Sequence, residues 1–338
     1  MPTSSPATRL LALYPHLTTR DRALLALLDE HRVLTSDQIM RLQFQAMRTC
    51  QIRLRTLLEL GVLERFRFAR LNGGAEPWHW TLGLAGAQFR AGVTGRPTPT
   101  ERGHRTHVIR LTASPLLPHL RTTNEFFVRL AHAARIGSAM RLQRWWSERT
   151  ATAKFLRIRP DGHGLWTAGG RTVGCYLECD MGTEPLTRVL TKLDAYEELV
   201  AAGGPRYPVL FWLANAEREA HLQHRLRDIQ PAVPVATATH DTDVAGAVWL
   251  PADGWRRVAL RHLDSDHGPN TASNPNWLNN ALDLTDQTGE AGTTFGAEDP
   301  ADTAETPDAA ATARVGTPDN ADGAGGVDSA EADADTED

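Results

Sequence analysis

Three stretches near the start of the chain place apolar residues at helical spacing. "TTRDRALLALLDEH" has Thr18 or Thr19 as a cap, followed by Leu24, Leu27 and Leu28. "LTSDQIMRLQF" predicts a second helix from Thr35 or Ser36, burying Ile39, Met40 and Leu42. "AMRTCQIRLRTLLELG" predicts a third, stopped by Gly61. In that third helix Met47, Cys50, Leu54, Leu57 and Leu58 form one stripe. Arg48, Gln51 and Arg55 form another on the opposite side, with Arg53 flanking it. The period then changes to two. Phe66 and Phe68 alternate with Arg65 and Arg67, Asn72-Gly73-Gly74 supplies a turn, and Trp78, Trp80 and Leu82 alternate on the return. Arg70 lies just before that turn.

The stretch "AGVTGRPTPTERGHRT" is rich in Gly, Pro and Thr and reads as a linker. Beyond it the pattern predicts a helix over 114–136 and a strand in "MRLQRWWSE". A segment "FLRIRPDGHGLW" follows, with a turn at Pro160-Asp161-Gly162. "TVGCYLECD" is the next strand, followed by a helix over 184–201, a buried strand in "YPVLFWLAN", a helix in "AEREAHLQHRLRDIQ" and a last strand in "VPVATAT". The order α-β-β-β-α-β-α-β predicts an α/β domain with helices over a mixed sheet.

Charge divides the 338 residues differently. The net charge is −5, yet the first 264 residues hold 35 Lys+Arg against 24 Asp+Glu, a net of +11. A basic body suits a polyanionic partner. The rest is acidic and poor in large apolar residues, which predicts a disordered tail. That tail is a solubilising segment or an internal competitor for the basic face. The expected organisation is 1–100, 101–263 and 264–338. No run of eighteen apolar residues predicts a membrane span, and the N-terminus lacks the pattern of a secretory signal, so a cytoplasmic protein is expected. Cys175 and Cys179 lie four residues apart on one strand, roughly 13 Å, too far to bridge. Only two residues, Lys154 and Lys192, are lysine in an arginine-rich chain.

Three helices followed by a basic hairpin resemble a winged helix-turn-helix domain. The resemblance implies double-stranded DNA as partner, with the third helix in the major groove and the hairpin along the backbone. Arg48, Gln51 and Arg55 would then face bases, with Arg53 beside them, and Arg65, Arg67 and Arg70 would lie near phosphates. One such module buries little DNA, so tight binding needs a second contact or a dimer.

In the strand "TVGCYLECD", Val173, Cys175, Leu177 and Cys179 point one way and Tyr176, Glu178 and Asp180 the other. Two carboxylates on one face, about 7 Å apart, call for a cation or a basic group between them. Asp161, at the preceding turn, supplies a third acid, and three such acids suit Mg²⁺. Pro160-Asp161 followed by Glu178-Cys179-Asp180 resembles the PD-(D/E)XK restriction-endonuclease-like fold, except that Asp180 stands where that motif has lysine. Some members of the fold carry the lysine on the next helix, where this chain has Lys192. The layout of residues 18–250 as a whole resembles the replication-relaxation family of mobile elements. That resemblance implies a role on plasmid or integrative-element DNA, alongside relaxosome or replication proteins.

Two readings follow. In the first the protein nicks DNA as a relaxase, with Mg²⁺ on Asp161, Glu178 and Asp180 and with Lys192 assisting. In the second the nuclease-like domain no longer cuts, and the protein regulates plasmid replication or transcription by binding. Glu125 and Glu148 are further acids to place, and Trp145 and Trp146 are core residues or a stacking surface for an unpaired base.

Overall fold

In the computed structural model, which describes residues 12–70, 73–268 and 274, the first helices start at side-chain caps. α1 (Thr19–His31) begins at Thr18, whose hydroxyl accepts the Asp21 N–H while the Asp21 carboxylate accepts the Thr18 N–H. α2 (Ser36–Gln43) repeats the device with Thr35 and Gln38. Each reciprocal pair satisfies two N–H groups that a helix start leaves without partners. α3 (Met47–Glu59) buries Cys50, Leu54 and Leu57. Gly61 follows at φ +68°, a conformation glycine adopts without a Cβ clash.

β1 (Leu34–Thr35), β2 (Leu63–Phe66) and β3 (His79–Leu82) form an antiparallel sheet in the order β1-β3-β2. The expected hairpin is β2–β3, extended by a bridge between Ala69 and Ala75. Gly73 and Gly74 turn it at positive φ, and Asn72 of the expected turn lies outside the described residues.

The expected linker is mostly helix. α4 (Leu84–Val93) and α5 (Glu101–Thr112) leave only 94–100 without regular structure. α5 is capped by Thr100, which accepts the Gly103 N–H, and it buries only His104 and Leu111. So short an apolar stripe, among arginines and threonines, gives little periodic signal.

The second half follows the predicted order with two additions. α6 (Leu117–Ile136), β4 (Met140–Ser147), β5 (Gly162–Ala168), β6 (Arg171–Asp180), α8 (Leu186–Ala201), β7 (Val209–Leu213), α9 (Ala216–Ile229) and β8 (Val235–Thr239) were all expected. α7 (Glu148–Phe155) and the edge strand β9 (Leu250–Pro251) were not. The six strands lie in the order β4-β5-β6-β7-β8-β9. β4, β5 and β6 form an antiparallel meander, β6-β7-β8 are parallel, and β9 is antiparallel to β8. The chain is thus a mixed α/β fold with two sheets.

Alternation along the strands divides the core into two layers. Cys175, Leu177 and Cys179 of β6 join Leu210 and Trp212 of β7 against Phe126, Phe127 and Leu130 of α6. Tyr176 joins Phe211 and Leu213 against Val189, Leu193 and Tyr196 of α8 and Leu222 of α9. The layer on the α6 side continues into Leu24, Leu28, Ile39 and Leu54 of the first three helices, so both sheets share one apolar core. Polar contacts reinforce the junction. Asn124 donates to the His31 and Val33 carbonyls at 3.2 and 2.8 Å. Glu125 accepts from both terminal nitrogens of Arg41 at 2.8 and 2.7 Å and from Arg129 at 3.0 Å.

Trp145 and Trp146 are core residues. Trp145 is stacked between His31 and Phe127, with ring centroids 3.7 and 5.3 Å away. Asp264 to Gly268, expected to belong to the tail, are attached to the body. Arg206 pairs with Asp264, its backbone bridges Asp266, and Tyr207 hydrogen-bonds His267. The rest of the 264–338 segment, Asn274 apart, lies outside the described residues. Among the described residues no helix is long and apolar enough to cross a membrane.

Asn124→Ala would remove a side-chain donor from two buried carbonyls, leaving that of His31 with the Val33 N–H. Its expected cost is about 2 kcal/mol, read as a lower urea midpoint at unchanged slope.

Candidate functional site

The register of β5 and β6 brings two of the expected acids side by side. Gly162 pairs with Leu177, and the Asp161 N–H donates to the Leu177 carbonyl at 2.9 Å, so Asp161 falls opposite Glu178. Asp161 turns its carboxylate back onto the strand, where Oδ2 accepts the Cys179 N–H at 2.8 Å. His119, near the start of α6, reaches the same end of the sheet. Its Nε2 is 3.2 Å from Asp161 Oδ2 and 2.9 Å from the Cys179 carbonyl. The hydrogen bond to Asp161 holds the His119 pKa above its ordinary value, against the opposing effect of burial.

Glu178 is 2 % exposed, and both of its oxygens are engaged from α8. Lys192 Nζ donates to Oε2 and the Tyr196 hydroxyl to Oε1, each at 2.5 Å. Lys192 and Tyr196 are four residues apart, one helical turn, so α8 presents both to the same carboxylate. Burial, and then the charge of Asp161, push the Glu178 carboxyl up to about 7, while Lys192 acts the other way. Burial drives the Tyr196 hydroxyl well above its usual range, with the Glu178 charge adding to it, so it serves as a donor.

Asp180 belongs to a separate arrangement. Arg218 of α9 donates to its Oδ2 through Nε at 2.8 Å and through a terminal nitrogen at 2.6 Å. The other oxygen, Oδ1, accepts the Gly182 N–H. Asp161, Glu178 and Lys192 therefore come together, and Asp180 does not join them. Sequence reasoning missed His119, Tyr196 and Arg218. The i, i+4 spacing of Lys192 and Tyr196 was a usable signal for Tyr196, whereas nothing local singled out His119 or Arg218.

The donor set does not fit the expected Mg²⁺. Of the six oxygens of Asp161, Glu178 and Asp180, all but Asp161 Oδ1 have a donor among the described residues. Among the described residues no group of three or more His, Cys, Asp or Glu side chains is arranged to hold a metal ion. The cation that two neighbouring carboxylates require is supplied by the chain itself. Glu125 and Glu148 are structural acids, paired with Arg41 and with Arg159.

The arginines expected at DNA differ in their surroundings. Arg48, Gln51 and Arg55 of α3 are exposed. Arg53 is held by Asp21 and the His16 carbonyl, so it fastens α3 to α1. Arg65 and Arg67 are exposed, and their guanidinium groups stack over Trp78, 4.0 and 4.3 Å from the ring centroid. Arg70 is exposed at the end of the hairpin.

Because the folded pKa of Glu178 is raised, the native state keeps a proton that the unfolded chain releases near its ordinary pKa. Its contribution to stability is therefore fully present below that ordinary pKa and declines as pH rises toward about 7, with a slope of up to about 1.4 kcal/mol per pH unit. His31, buried and lowered to about 4, acts in the opposite sense. The difference between wild type and Glu178→Gln isolates the carboxylate. Urea unfolding across this range should show that the variant lacks the declining component.

No curated protein matches the chain, and no solved structure does. A family model described as Replication-relaxation matches residues 25–208, more than half of the 338. That span begins within α1 and ends just before β7, so it includes the basic helix and hairpin together with Asp161, Glu178, Asp180 and Lys192. The chain belongs to the replication-relaxation family.

Proposed function

We propose that the chain is a DNA-binding protein of a plasmid or integrative element. In this reading it controls replication or transcription by binding, and its nuclease-like site is closed by its own cations. The first three helices and the β1-β3-β2 sheet support the winged helix-turn-helix reading. The meander β4-β5-β6, with α8 crossing over to the parallel strand β7, supports the PD-(D/E)XK-like one. The observation that carries DNA binding is the exposed line Arg48, Gln51 and Arg55 on α3, beside a hairpin whose Arg65 and Arg67 stack on Trp78. A guanidinium held over an indole by cation–π attraction still has N–H donors to offer phosphate. The partner is double-stranded DNA, with replication or relaxosome proteins as further members of the assembly.

The juxtaposition of Asp161, Glu178 and Lys192 favours a second reading, a DNA-nicking enzyme whose lysine has moved to the following helix. The engaged oxygens of Glu178 and the Arg218 clamp on Asp180 favour the first.

The two readings separate on supercoiled plasmid carrying the element's own origin region, incubated with Mg²⁺ or Mn²⁺. Binding without nicked product is expected in every condition. Nicking that disappears in both Asp161→Ala and Glu178→Ala would establish the enzyme instead. Arg48→Ala and Arg55→Ala should each weaken binding to the origin duplex by about 1–3 kcal/mol, measured by fluorescence anisotropy. Arg53→Ala should chiefly lower Tm, since its partner is the buried Asp21.

A further inference from the structure

Asp161 and His119 also border a second space, a cavity of about 150 Å³ on the α6 side of the sheet. Its outer wall comes from three elements: Arg32 after α1, Leu111 and Ser114 at the end of α5, and Arg149 at the start of α7. None of the arginines on α3 or the hairpin lines it. The rim is cationic. Arg32 and Arg149 line it, and burial first, then Arg32, His104, Arg149 and Arg110, hold the nearby His107 of α5 below its ordinary pKa. Glu30 and Glu148 belong to the same wall, and both are already engaged. Glu30 accepts from the Ser147 N–H and hydroxyl and from Arg149, and Glu148 pairs with Arg159. Arg32 and Arg110 are exposed, and among the described residues neither forms an ion pair.

Arg32 carries a second signal. It ends α1 at φ +70°, a region that disfavours any side chain by roughly 1 kcal/mol or more. Glycine, with no Cβ, adopts such a backbone at lower cost. An arginine stands there instead, with no acid on its guanidinium, at the mouth of a cavity whose far wall holds Asp161 and His119.

We infer that this cavity receives a backbone phosphate of the bound DNA, with Arg32 and Arg149 of its lining as counter-charges, so that the strand passes Asp161 and His119. The inference rests on the DNA-binding reading above and supplies the second contact that a single helix and hairpin need. One such module buries only about 600–1,000 Å². A phosphate contact carries no sequence preference, so this surface adds affinity and fixes the path of the DNA, while base readout stays with α3.

The test uses the full chain and a labelled duplex of arbitrary sequence, with anisotropy followed over a range of salt. Arg32→Gly should leave Tm unchanged or raised, because the backbone strain is relieved. It should weaken binding roughly three- to tenfold and reduce the slope of log affinity against log salt by about 0.9, the value for one lost phosphate contact. Arg149→Ala should weaken binding similarly, with Tm reporting separately on the loss of its pair with Glu30. If both variants bind as wild type does, the inference is overturned, whatever Arg48→Ala does to the same duplex. A wild-type chain that binds no duplex overturns the proposed function and this inference with it.

Discussion

The fold depends on one helix that must be compatible with two neighbours at once. α6 lays Phe126, Phe127 and Leu130 on the six-stranded sheet, and it also meets α1 and α2. A surface helix needs a single apolar stripe. α6 has nine buried positions, among them the polar Thr123 and Asn124. Its second face is polar because the groups it meets are the ends of other elements. Asn124 takes two carbonyls at the end of α1, Arg135 takes the carbonyls of Arg41 and Phe44 at the end of α2, and Glu125 clamps Arg41. Helix C-termini leave carbonyls without intrahelical partners. Burying them against α6 is tolerable because α6 carries donors at those positions. The seam between the two sheets is therefore specific in direction as well as apolar.

The same reasoning explains the acidic end of β6. Glu178 and Asp180 point to one side of a sheet whose surrounding layer is Tyr176, Phe211, Leu193 and Leu222. In such surroundings an ionised carboxylate without partners is very costly. Two solutions exist: a bound cation shared by both acids, or a separate cationic side chain for each. Here α8 brings Lys192 and Tyr196 to Glu178, and α9 brings Arg218 to Asp180. Arg218 places two charge-assisted N–H donors on one oxygen of Asp180, Oδ2, and the Gly182 N–H takes the other. Each acid is held by a different helix, and each helix is thereby fixed over its own part of the sheet.

Much of this was legible in the sequence, and each part that was not has a physical cause. The strands of the larger sheet were readable because alternation or continuous apolar runs mark them, as in "TVGCYLECD" and "YPVLFWLAN". The caps Thr18 and Thr35 were readable because capping is local. The proximity of Asp161, Glu178 and Lys192 followed from a hairpin and the helix after it, again a short-range matter. α5 and α7 were missed because each buries only two residues, too few to set a period. Arg218 and His119 were missed for a different reason. They act on residues 38 and 60 positions away, and no spacing rule reaches that far. The three-acid metal site rested on the assumption that carboxylates on one face share a single cation. The sequence shows that a cation is needed and does not show how many will come.

Arg53 illustrates the same limit at the basic end of the chain. It lies on α3 among exposed arginines, and composition treats it as one of them. Two residues, about 200° around the helix, separate it from Arg55. Asp21, 2 % exposed, accepts from the Thr18 N–H and hydroxyl and from Arg53, so the carboxylate that caps α1 also fixes α3. Arginine count alone therefore overstates the surface offered to a polyanion. Among the described residues, the exposed arginines that form no ion pair include Arg48 and Arg55 on α3, Arg65 and Arg67 over Trp78, and Arg32 at the cavity beside Asp161. These groups belong to elements that share one apolar core, so their spacing is set by the fold. An extended polyanion can match a fixed array of cations without reorganising it, which is what the proposed DNA binding requires.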